Sequence, residues 1–187
     1  MRVGLVSDTH GLFEPRLRDV FAGCDLILHA GDVVTPATLD ELARVAPVRA
    51  VRGNNDADPA FEALPEIAAI SLGAVTALLV HRIGAGGRID PAVARAIALH
   101  RAQVVVHGHS HRPSAAVEGG LLLVNPGSAG PRRFRLPRST GILEVSGRRV
   151  SVRLVDVASA RETDLQPVVT VRLGAAPRAP GTAARDP

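Results

Sequence analysis

The sequence predicts an α/β fold in which two mixed β-sheets pack face to face and are flanked by helices. Three observations lead to this fold class. In the first third of the chain, short β-branched apolar runs alternate with helical patterns, which is typical of parallel strands joined by crossover helices. The later runs are joined mostly by short glycine turns, which favour antiparallel hairpins. The 187 residues suffice for one domain, and a parallel half beside an antiparallel half fits two packed sheets.

The first third contains three predicted strands and two crossover helices. Each helix has a proline in its first turn, where the missing backbone N–H costs no hydrogen bond. Thr35 precedes the second helix as a candidate N-cap. The strands are predicted at 2–7, 25–32 and 48–54, and the helices at 14–23 and 35–45.

The next part of the chain is predicted to consist mostly of strands. A third helix is expected at 90–101, with Asp90 as its N-cap and Pro91 as its first residue. Glycines mark the tight turns between several of the other segments. Strands are predicted within 67–73, 74–81, 103–108, 114–119, 121–128, 140–147 and 148–157.

From residue 158 the apolar pattern weakens, and 174–187 is rich in Ala, Pro, Gly and Arg. A segment of this composition buries too little apolar surface to fold by itself. We therefore expect a domain over 1–157 and a C-terminal extension over 158–187 that is largely disordered. Within the extension, 167–173 is a candidate strand.

The composition excludes several kinds of active site. The chain has no Trp or Tyr, and all 22 basic residues are Arg. A phosphate-binding loop with its lysine, a Schiff-base lysine and a tyrosine nucleophile are therefore impossible. The net charge of +4 permits an anionic substrate, but only 2% of residues are aromatic, so there is no strong indication of nucleic-acid binding. The dense basic stretch 132–138 is either a solvated loop or a phosphate clamp.

Cysteine usage and apolar run length predict where the protein works. Cys24 is the single cysteine of the chain, which excludes an intrachain disulfide and suits a reducing compartment. The apolar run before Asp8 is too short for a signal peptide. No apolar run approaches the roughly 20 residues that a membrane-spanning helix needs. We expect a cytoplasmic protein without a membrane partner, and a homo-oligomer stays open.

The stretch "VVVHGHSHRP" at 104–113 places three of the seven histidines within five positions. His109 and His111 alternate around one serine, so an extended backbone would point both side chains to the same side. Two imidazoles presented in this way suit a borderline metal such as zinc, manganese, iron or nickel. Two ligands do not complete a site, and the others must come from elsewhere in the chain.

Polar donors also follow the other predicted strands. Each one alone would be read as a turn or cap residue. In an α/β sheet, however, the carboxyl ends of the strands border the usual site, so these side chains are expected to converge with the two histidines. The donors after successive strands are Asp8 and His10, then Asp32, then Asn54, Asn55 and Asp56, and then His81.

In this order, "SDTHG", "HAGD", "GNND", a lone His and "GHSH" resemble the calcineurin-like metallophosphoesterases. Their pattern of D-x-H, G-D, G-N-x-D/E, H and G-H-x-H is matched in full over about 1–157. Together with "NPGS" at 125–128, the motifs look like the small, cap-less bacterial and archaeal phosphodiesterase branch. The resemblance implies a four-layer α/β/β/α sandwich and two divalent metal ions, with manganese as the first choice and nickel, zinc or iron as alternatives.

Carried over by position, the resemblance implies two overlapping ligand sets. Asp32 would bridge the two ions, because a carboxylate has an oxygen for each. Two ions ~3.5–4 Å apart acidify a shared water and neutralise phosphate oxygens, so a bridging hydroxide can cleave the P–O bond without a protein nucleophile. The implied activity is that of a phosphodiesterase acting on a small-molecule diester. The first set is Asp8, His10, Asp32 and His111, and the second is Asp32, Asn54, His81 and His109.

The sequence departs from the family pattern at two positions. Asn55 stands where many relatives carry a His that helps to protonate the leaving group, and a neutral amide cannot act as a general acid. We therefore expect a preference for substrates with acidic leaving groups, with Asp32, Asn54, Asn55 and Asp56 as the catalytic set and Asp56 orienting a ligand or capping a turn. Arg82, where a glycine is usual, either contacts substrate phosphate or faces solvent. Asn125 of "NPGS" is a candidate substrate contact.

Two other functions stay open beside the phosphodiesterase. One is a protein-interaction scaffold on the same fold, which the complete ligand set disfavours. The other is a phosphomonoesterase or a nuclease, for which the chain lacks the extra domains and the aromatic surface. Of the remaining histidines, His29 is expected to orient a ligand or to be structural, and His100 and His107 are expected to be structural.

Overall fold

The computed structural model describes residues 1–86, 88–133, 135–157 and 168–174. These residues form thirteen strands and three helices. The strands are β1 (Arg2–Val6), β2 (Leu26–His29), β3 (Val48–Ala50), β4 (Ile67–Leu72), β5 (Val75–Val80), β6 (Gly84–Ala85), β7 (Arg88–Ile89), β8 (Val104–Val106), β9 (Ser114–Glu118), β10 (Leu121–Asn125), β11 (Ser139–Ser146), β12 (Arg149–Asp156) and β13 (Val169–Arg172). The helices are α1 (Leu17–Val20), α2 (Pro36–Ala43) and α3 (Pro91–His100).

Two mixed sheets form the centre of the fold. The first sheet has the order β13-β12-β11-β1-β2-β3, and the second has the order β4-β5-β8-β10-β9. In the first sheet, β1, β2 and β3 are parallel, whereas β11, β12 and β13 add antiparallel strands. In the second sheet, β5, β8 and β10 are parallel, and β4 and β9 close the two edges in antiparallel pairing.

Side-chain alternation along the strands divides the core into three layers. Leu5 and Leu79 belong to the apolar layer between the two sheets. Their sequence neighbours point the other way: Val6 packs with α1 and α2 outside the first sheet, and Leu78 packs with α3 outside the second. The period of two follows from the pleat of a strand. The predicted α/β/β/α sandwich is confirmed.

The first predicted helix is much shorter than expected. Only Leu17–Val20 is α-helical, although a helix was predicted at 14–23. The N–H groups of Leu17, Arg18 and Asp19 donate to carbonyls three residues back, at Glu14, Pro15 and Arg16. These bonds make tight turns rather than α-helix, so the segment packs Leu17 and Phe21 on the first sheet with little regular structure.

The strand predicted at 48–54 was also too long, since β3 ends at Ala50. The predicted turns are confirmed at Gly73, at Gly119 with Gly120, and at Gly147, all with positive φ. Positive φ at two successive central residues, as at Gly119 and Gly120, matches the twist of a hairpin and strongly favours glycine.

The candidate strand at 167–173 is confirmed as β13, which pairs with β12 and extends the first sheet. The remainder of the extension predicted to be disordered, 158–167 and 175–187, lies outside the described residues. Among the residues that are described, no helix is both long and apolar enough to cross a membrane.

Candidate metal centre

The carboxyl ends of the parallel strands of both sheets meet at one edge of the sandwich. The loops after β1, β2 and β3 come from the first sheet, and those after β5 and β8 come from the second. All seven side chains that the resemblance implies as metal ligands lie in these loops. They form two adjacent donor groups with one carboxylate between them.

The first donor group consists of Asp8, His10 and His111. The Nε2 atom of His111 lies 3.2 Å from Oδ1 of Asp8 and 3.3 Å from Nε2 of His10. The Nε2 atom of His10 lies 4.0 Å from the same Asp8 oxygen. Two ring nitrogens and a carboxylate oxygen therefore face a common point.

The second donor group consists of Asn54, His81 and His109. The side-chain oxygen of Asn54 lies 3.1 Å from Nε2 of His81 and 3.0 Å from Nδ1 of His109. The Nδ1 atom of His81 lies 2.7 Å from the carbonyl oxygen of Ala30. An N–H at Nδ1 donates to that carbonyl, which leaves the lone pair of Nε2 directed into the donor group.

Asp32 lies between the two donor groups. Its Oδ2 atom is 3.9 Å from Nε2 of His10, and its Oδ1 atom is 3.4 Å from Nε2 of His81. The two oxygens of one carboxylate thus face different groups. Among the described residues, the ligand atoms of Asp8, Asp32 and His81 lie within 4.8 Å of one another, as do those of Asp8, His10 and His111.

One buried oxygen of this site accepts no hydrogen bond within the part of the chain that the structure describes. The Oδ2 atom of Asp8 accepts hydrogen bonds from the Ser7 hydroxyl at 2.6 Å and from the His109 backbone N–H at 3.0 Å. The Oδ1 atom of Asp8 is buried and accepts none from the described residues. Leaving a buried carboxylate oxygen unpaired is costly, and a cation would remove that cost. Imidazole, carboxylate and amide donors fit a divalent transition metal.

Local electrostatics favour the metal-binding protonation states of Asp32, Asp8, His10 and His109, whereas at His81 burial is outweighed by the Asp32 carboxylate, which raises the pKa. Burial alone would raise the pKa of Asp32, but the neighbouring His81 and the hydrogen bonds from Asn55 outweigh it and hold the pKa far below its usual range. Burial is likewise outweighed at Asp8 by His111 and Ser7, which lower the pKa. Burial lowers the pKa of His10 and of His109. Ionised carboxylates and neutral imidazoles are the forms that coordinate a cation.

Five of the seven residues adopt left-handed backbone conformations that non-glycine residues rarely take. Such conformations cost of order 1–3 kcal/mol each and persist where surrounding structure enforces them. Here the backbone of the first loop is tied to that of the second by bonds from the N–H of Asp8 to Gly31 O and from the N–H of His10 to Asp32 O, both 3.0 Å. The φ angles are 53° at Asp8, 47° at His10, 56° at Asp32, 69° at His109 and 57° at His111.

Two glycines are required by close approach rather than by their φ angles. A Cβ atom at Gly53 would lie 2.2 Å from Oδ1 of Asp32, and one at Gly108 would lie 1.9 Å from the Ser7 hydroxyl oxygen. No side chain fits at such distances. The glycines of "GNND" and "GHSH" thus let the third and fifth loops reach the site.

Asp56, predicted among the catalytic residues, binds backbone instead. Its Oδ2 atom accepts from the N–H groups of Asp32 at 3.0 Å and Gly53 at 2.7 Å, and its Oδ1 atom accepts from Val34 at 2.7 Å. The catalytic role of Asp56 therefore stays a prediction, whereas these backbone contacts suit the orienting role that the sequence also predicts. Asn55 contacts Asp32 directly, with its side-chain amide 2.6 Å from Oδ2 and its backbone N–H 2.9 Å from Oδ1.

The two predicted substrate contacts differ in accessibility. Arg82 is exposed and lines a cavity of about 530 Å³ together with Asn54, His81 and His109. Asn125 is fully buried, and its side chain donates to Gly108 O at 2.9 Å and accepts from the Gly127 N–H at 2.8 Å. The substrate-contact role of Asn125 therefore stays a prediction, for which the buried side chain offers no surface.

Sequence reasoning missed two serines and one arginine. The Ser7 hydroxyl binds the Asp8 carboxylate, and the Ser128 hydroxyl donates to Asp8 O at 2.8 Å. Arg133 lines a small cavity with His109 and His111. For Arg133, the only signal in the sequence is the basic stretch 132–138 that contains it. A serine next to an aspartate gives no signal of a functional role.

Of the remaining histidines, two lie near the site without facing it. His29 is fully buried with Nε2 3.0 Å from the Thr9 hydroxyl, and burial lowers the pKa of His29 to about 4. His107 lies 3.3 Å from the Asn125 amide. His100 ends α3 and is exposed.

Comparisons with known proteins agree with this geometry. The sequence profile of the calcineurin-like phosphoesterase superfamily domain matches residues 1–148. A probable metallophosphoesterase of Methanothermobacter thermautotrophicus is 32% identical over 165 residues, which are 83% of this chain and 92% of that protein. The probable metallophosphoesterase YsnB of Bacillus subtilis is 32% identical over 177 residues, 91% of this chain and 100% of that protein.

The fold is also shared with a solved structure. Vps29 of Entamoeba histolytica, crystallised in complex with Zn²⁺, superimposes with a TM-score of 0.74 at 22% identity. The match covers 91% of this chain and 99% of that one. At this level of identity the likeness shows the fold alone.

Proposed function

The chain belongs to the calcineurin-like phosphoesterase superfamily, and we propose that it is a phosphoric diester hydrolase that depends on two divalent metal ions. The observation that carries this proposal is the position of Asp32. Its two carboxylate oxygens face different donor groups, which is the arrangement that a shared ligand of two cations requires. The buried Oδ1 atom of Asp8, which accepts no hydrogen bond from the described residues, supports the same conclusion.

Each donor group would hold one ion. Asp8, His10 and His111 would hold the first, and Asn54, His81 and His109 the second, with Asp32 common to both. When bound, two such ions would acidify a water molecule and neutralise charge on the phosphate oxygens. Manganese is our first choice, with nickel, zinc or iron as alternatives, because the mixed nitrogen and oxygen donors accept all four.

The chain's own residues would orient the donors and the substrate. Asn55 and the loop held by Asp56 fix the carboxylate of Asp32, so that both of its oxygens keep their directions. Arg82 stands at the mouth of the 530 Å³ cavity beside His109, where its guanidinium can bind a phosphate oxygen. Ile67, Val80 and Val93 give this cavity an apolar wall, which suits an ester substituent.

The proposal includes a preference among leaving groups. The Asn55 amide is engaged by Asp32 and cannot donate a proton as an acid does. Esters with acidic leaving groups, which depart as anions, are therefore expected to be favoured. Turnover measured across aryl diesters of graded leaving-group pKa should fall steeply as that pKa rises. A flat dependence at rate-limiting chemistry would contradict the idea.

The decisive experiment is hydrolysis of bis(p-nitrophenyl) phosphate and of p-nitrophenyl phosphate by chelator-stripped protein with manganese, nickel, zinc or no metal. We expect metal-dependent hydrolysis that is faster on the diester. An Asp32→Ala variant should lose it, and His100→Ala, an exposed histidine outside the site, should not. If neither ester is hydrolysed, the protein-interaction scaffold remains as the alternative function. If only the monoester is hydrolysed, the protein is a phosphomonoesterase.

We further propose that the protein acts in the cytoplasm. The single cysteine, Cys24, is a buried free thiol, which suits a reducing compartment.

A further inference from the structure

The loop between β10 and β11 brings an arginine to the edge of the candidate metal centre. Arg133 lines a cavity of about 130 Å³ together with His109, Ser110 and His111. It also borders a second, narrower cleft with His111 and Ser128. Arg133 thus stands beside the donor group of Asp8, His10 and His111.

The loop that carries Arg133 is held on both sides. The guanidinium of Arg138 donates from Nε to Gly130 O at 2.7 Å and from Nη2 to Ala129 O at 2.9 Å, and it forms an ion pair with Glu14 at 2.8 Å. Gly130 packs so closely on the first loop of the site that a Cβ atom there would lie 2.4 Å from Asp8 O. The position of Arg133 near the site is therefore built into the fold.

The guanidinium of Arg133, unlike that of Arg138, is not used to hold the loop in place. It is exposed and makes no hydrogen bond or ion pair with the residues that the structure describes. If this donor group held a metal ion, the positive charge of Arg133 beside it would be electrostatically unfavourable. An anion between them would reverse the sign of that interaction, and a guanidinium offers a phosphate two parallel donors.

We propose that Arg133 is a substrate-binding residue that holds a phosphate oxygen over the His10 and His111 side of the site. Arg82 lies on the other side, beside Asn54 and His81, and His109 lines the cavities of both arginines. The phosphate is then bound between two guanidinium groups as well as by the metal centre. This inference rests on the proposed phosphoesterase function and assigns part of its substrate site.

Binding of inorganic phosphate to the manganese-loaded full-length protein, measured by calorimetry, tests this assignment without requiring turnover. Arg133→Ala should weaken binding about tenfold or more, the scale of a lost charge-assisted hydrogen bond. Arg133→Lys should weaken it less, because the charge remains while the paired donors are lost. Arg135→Ala is the matched control, because it removes the same charge from the same loop but lines neither cavity. It should change the affinity less than twofold.

Equal affinities of Arg133→Ala and Arg135→Ala would overturn the assignment, as would wild-type protein that binds no phosphate. A lower metal content in Arg133→Ala alone would also overturn it, since the residue would then support the metal. On a diester, Arg133→Ala should raise KM more than it lowers kcat. Wild-type protein that binds phosphate through Arg133 but hydrolyses no ester would refute the proposed function alone. An active enzyme that is indifferent to Arg133 would refute this inference alone.

Discussion

Replacing Asp56 with Asn should destabilise the protein by about 2 kcal/mol, although the two side chains have the same shape. The Asp56 carboxylate accepts three backbone N–H groups, two at Oδ2 and one at Oδ1. An amide has only one oxygen. If that oxygen keeps the N–H groups of Asp32 and Gly53, its NH₂ group faces the N–H of Val34. One hydrogen bond to a charged acceptor is then lost, which costs about 1.5–3 kcal/mol.

Urea unfolding of metal-free protein measures this difference, with unchanged m-values as the sign that the denatured state is unaltered. Asp58→Asn is the matched control, because Asp58 is exposed and accepts a single N–H, that of Ala60 at 2.9 Å. Its replacement should cost less than about 1 kcal/mol. Since Asp56 holds the loop of Asp32, Asp56→Asn should also weaken metal binding, whereas Asp58→Asn should not. Equal destabilisation by the two variants would refute the positioning role of Asp56.

Three further predictions concern packing and ionisation. Gly108→Ala should cost about 2 kcal/mol or more and impair metal loading, because the added Cβ overlaps the Ser7 hydroxyl. Gly174→Ala, whose added Cβ meets no atom within 4 Å, is the control, and equal stability of the two variants would contradict the close approach at Gly108. Burial lowers the pKa of His29 from its ordinary value of 6.5 to about 4. The unfolded chain therefore binds the proton first as the pH drops, and stability falls between these two pKa values. His29→Gln lacks this ionisation, so the difference in free energy of unfolding between wild type and variant should shrink by about 2–3 kcal/mol between pH 7.5 and 4.5. A difference that stays constant with pH in urea titrations would contradict this prediction. Burial raises the pKa of the Cys24 thiol, so iodoacetamide at pH 8 should modify it only on unfolding, and rapid labelling of native protein would show the burial to be wrong.

The sequence predicted the layers and the donor set because both depend on local signals. Alternating apolar runs report strands, and polar residues directly after them report the edge where parallel strands end. Asp8, His81 and His109 could be found in this way without any knowledge of contacts. The order of the motifs along the chain then favoured one shared site over a set of unrelated turn residues.

The contacts of Asp56, Asn125 and Arg133 could not be predicted from the sequence, because they depend on distant parts of the chain. Asp56 is a catalytic candidate by motif, yet its carboxylate is occupied by the backbone of another loop. Asn125 lies in a turn motif, yet its side chain is fully buried and hydrogen-bonded to the loop after β8. The short length of α1 has a similar cause. Turns already pack this segment on the first sheet, so a longer regular helix is not required.

The central claim, that Asp32 is shared by two cations, is tested most directly by anomalous diffraction from crystals of the manganese-loaded protein. Two anomalous peaks are expected about 3.5–4 Å apart, one beside Asp8, His10 and His111 and the other beside Asn54, His81 and His109, with one Asp32 oxygen directed to each. A single peak, or two peaks of which only one contacts Asp32, would contradict the claim.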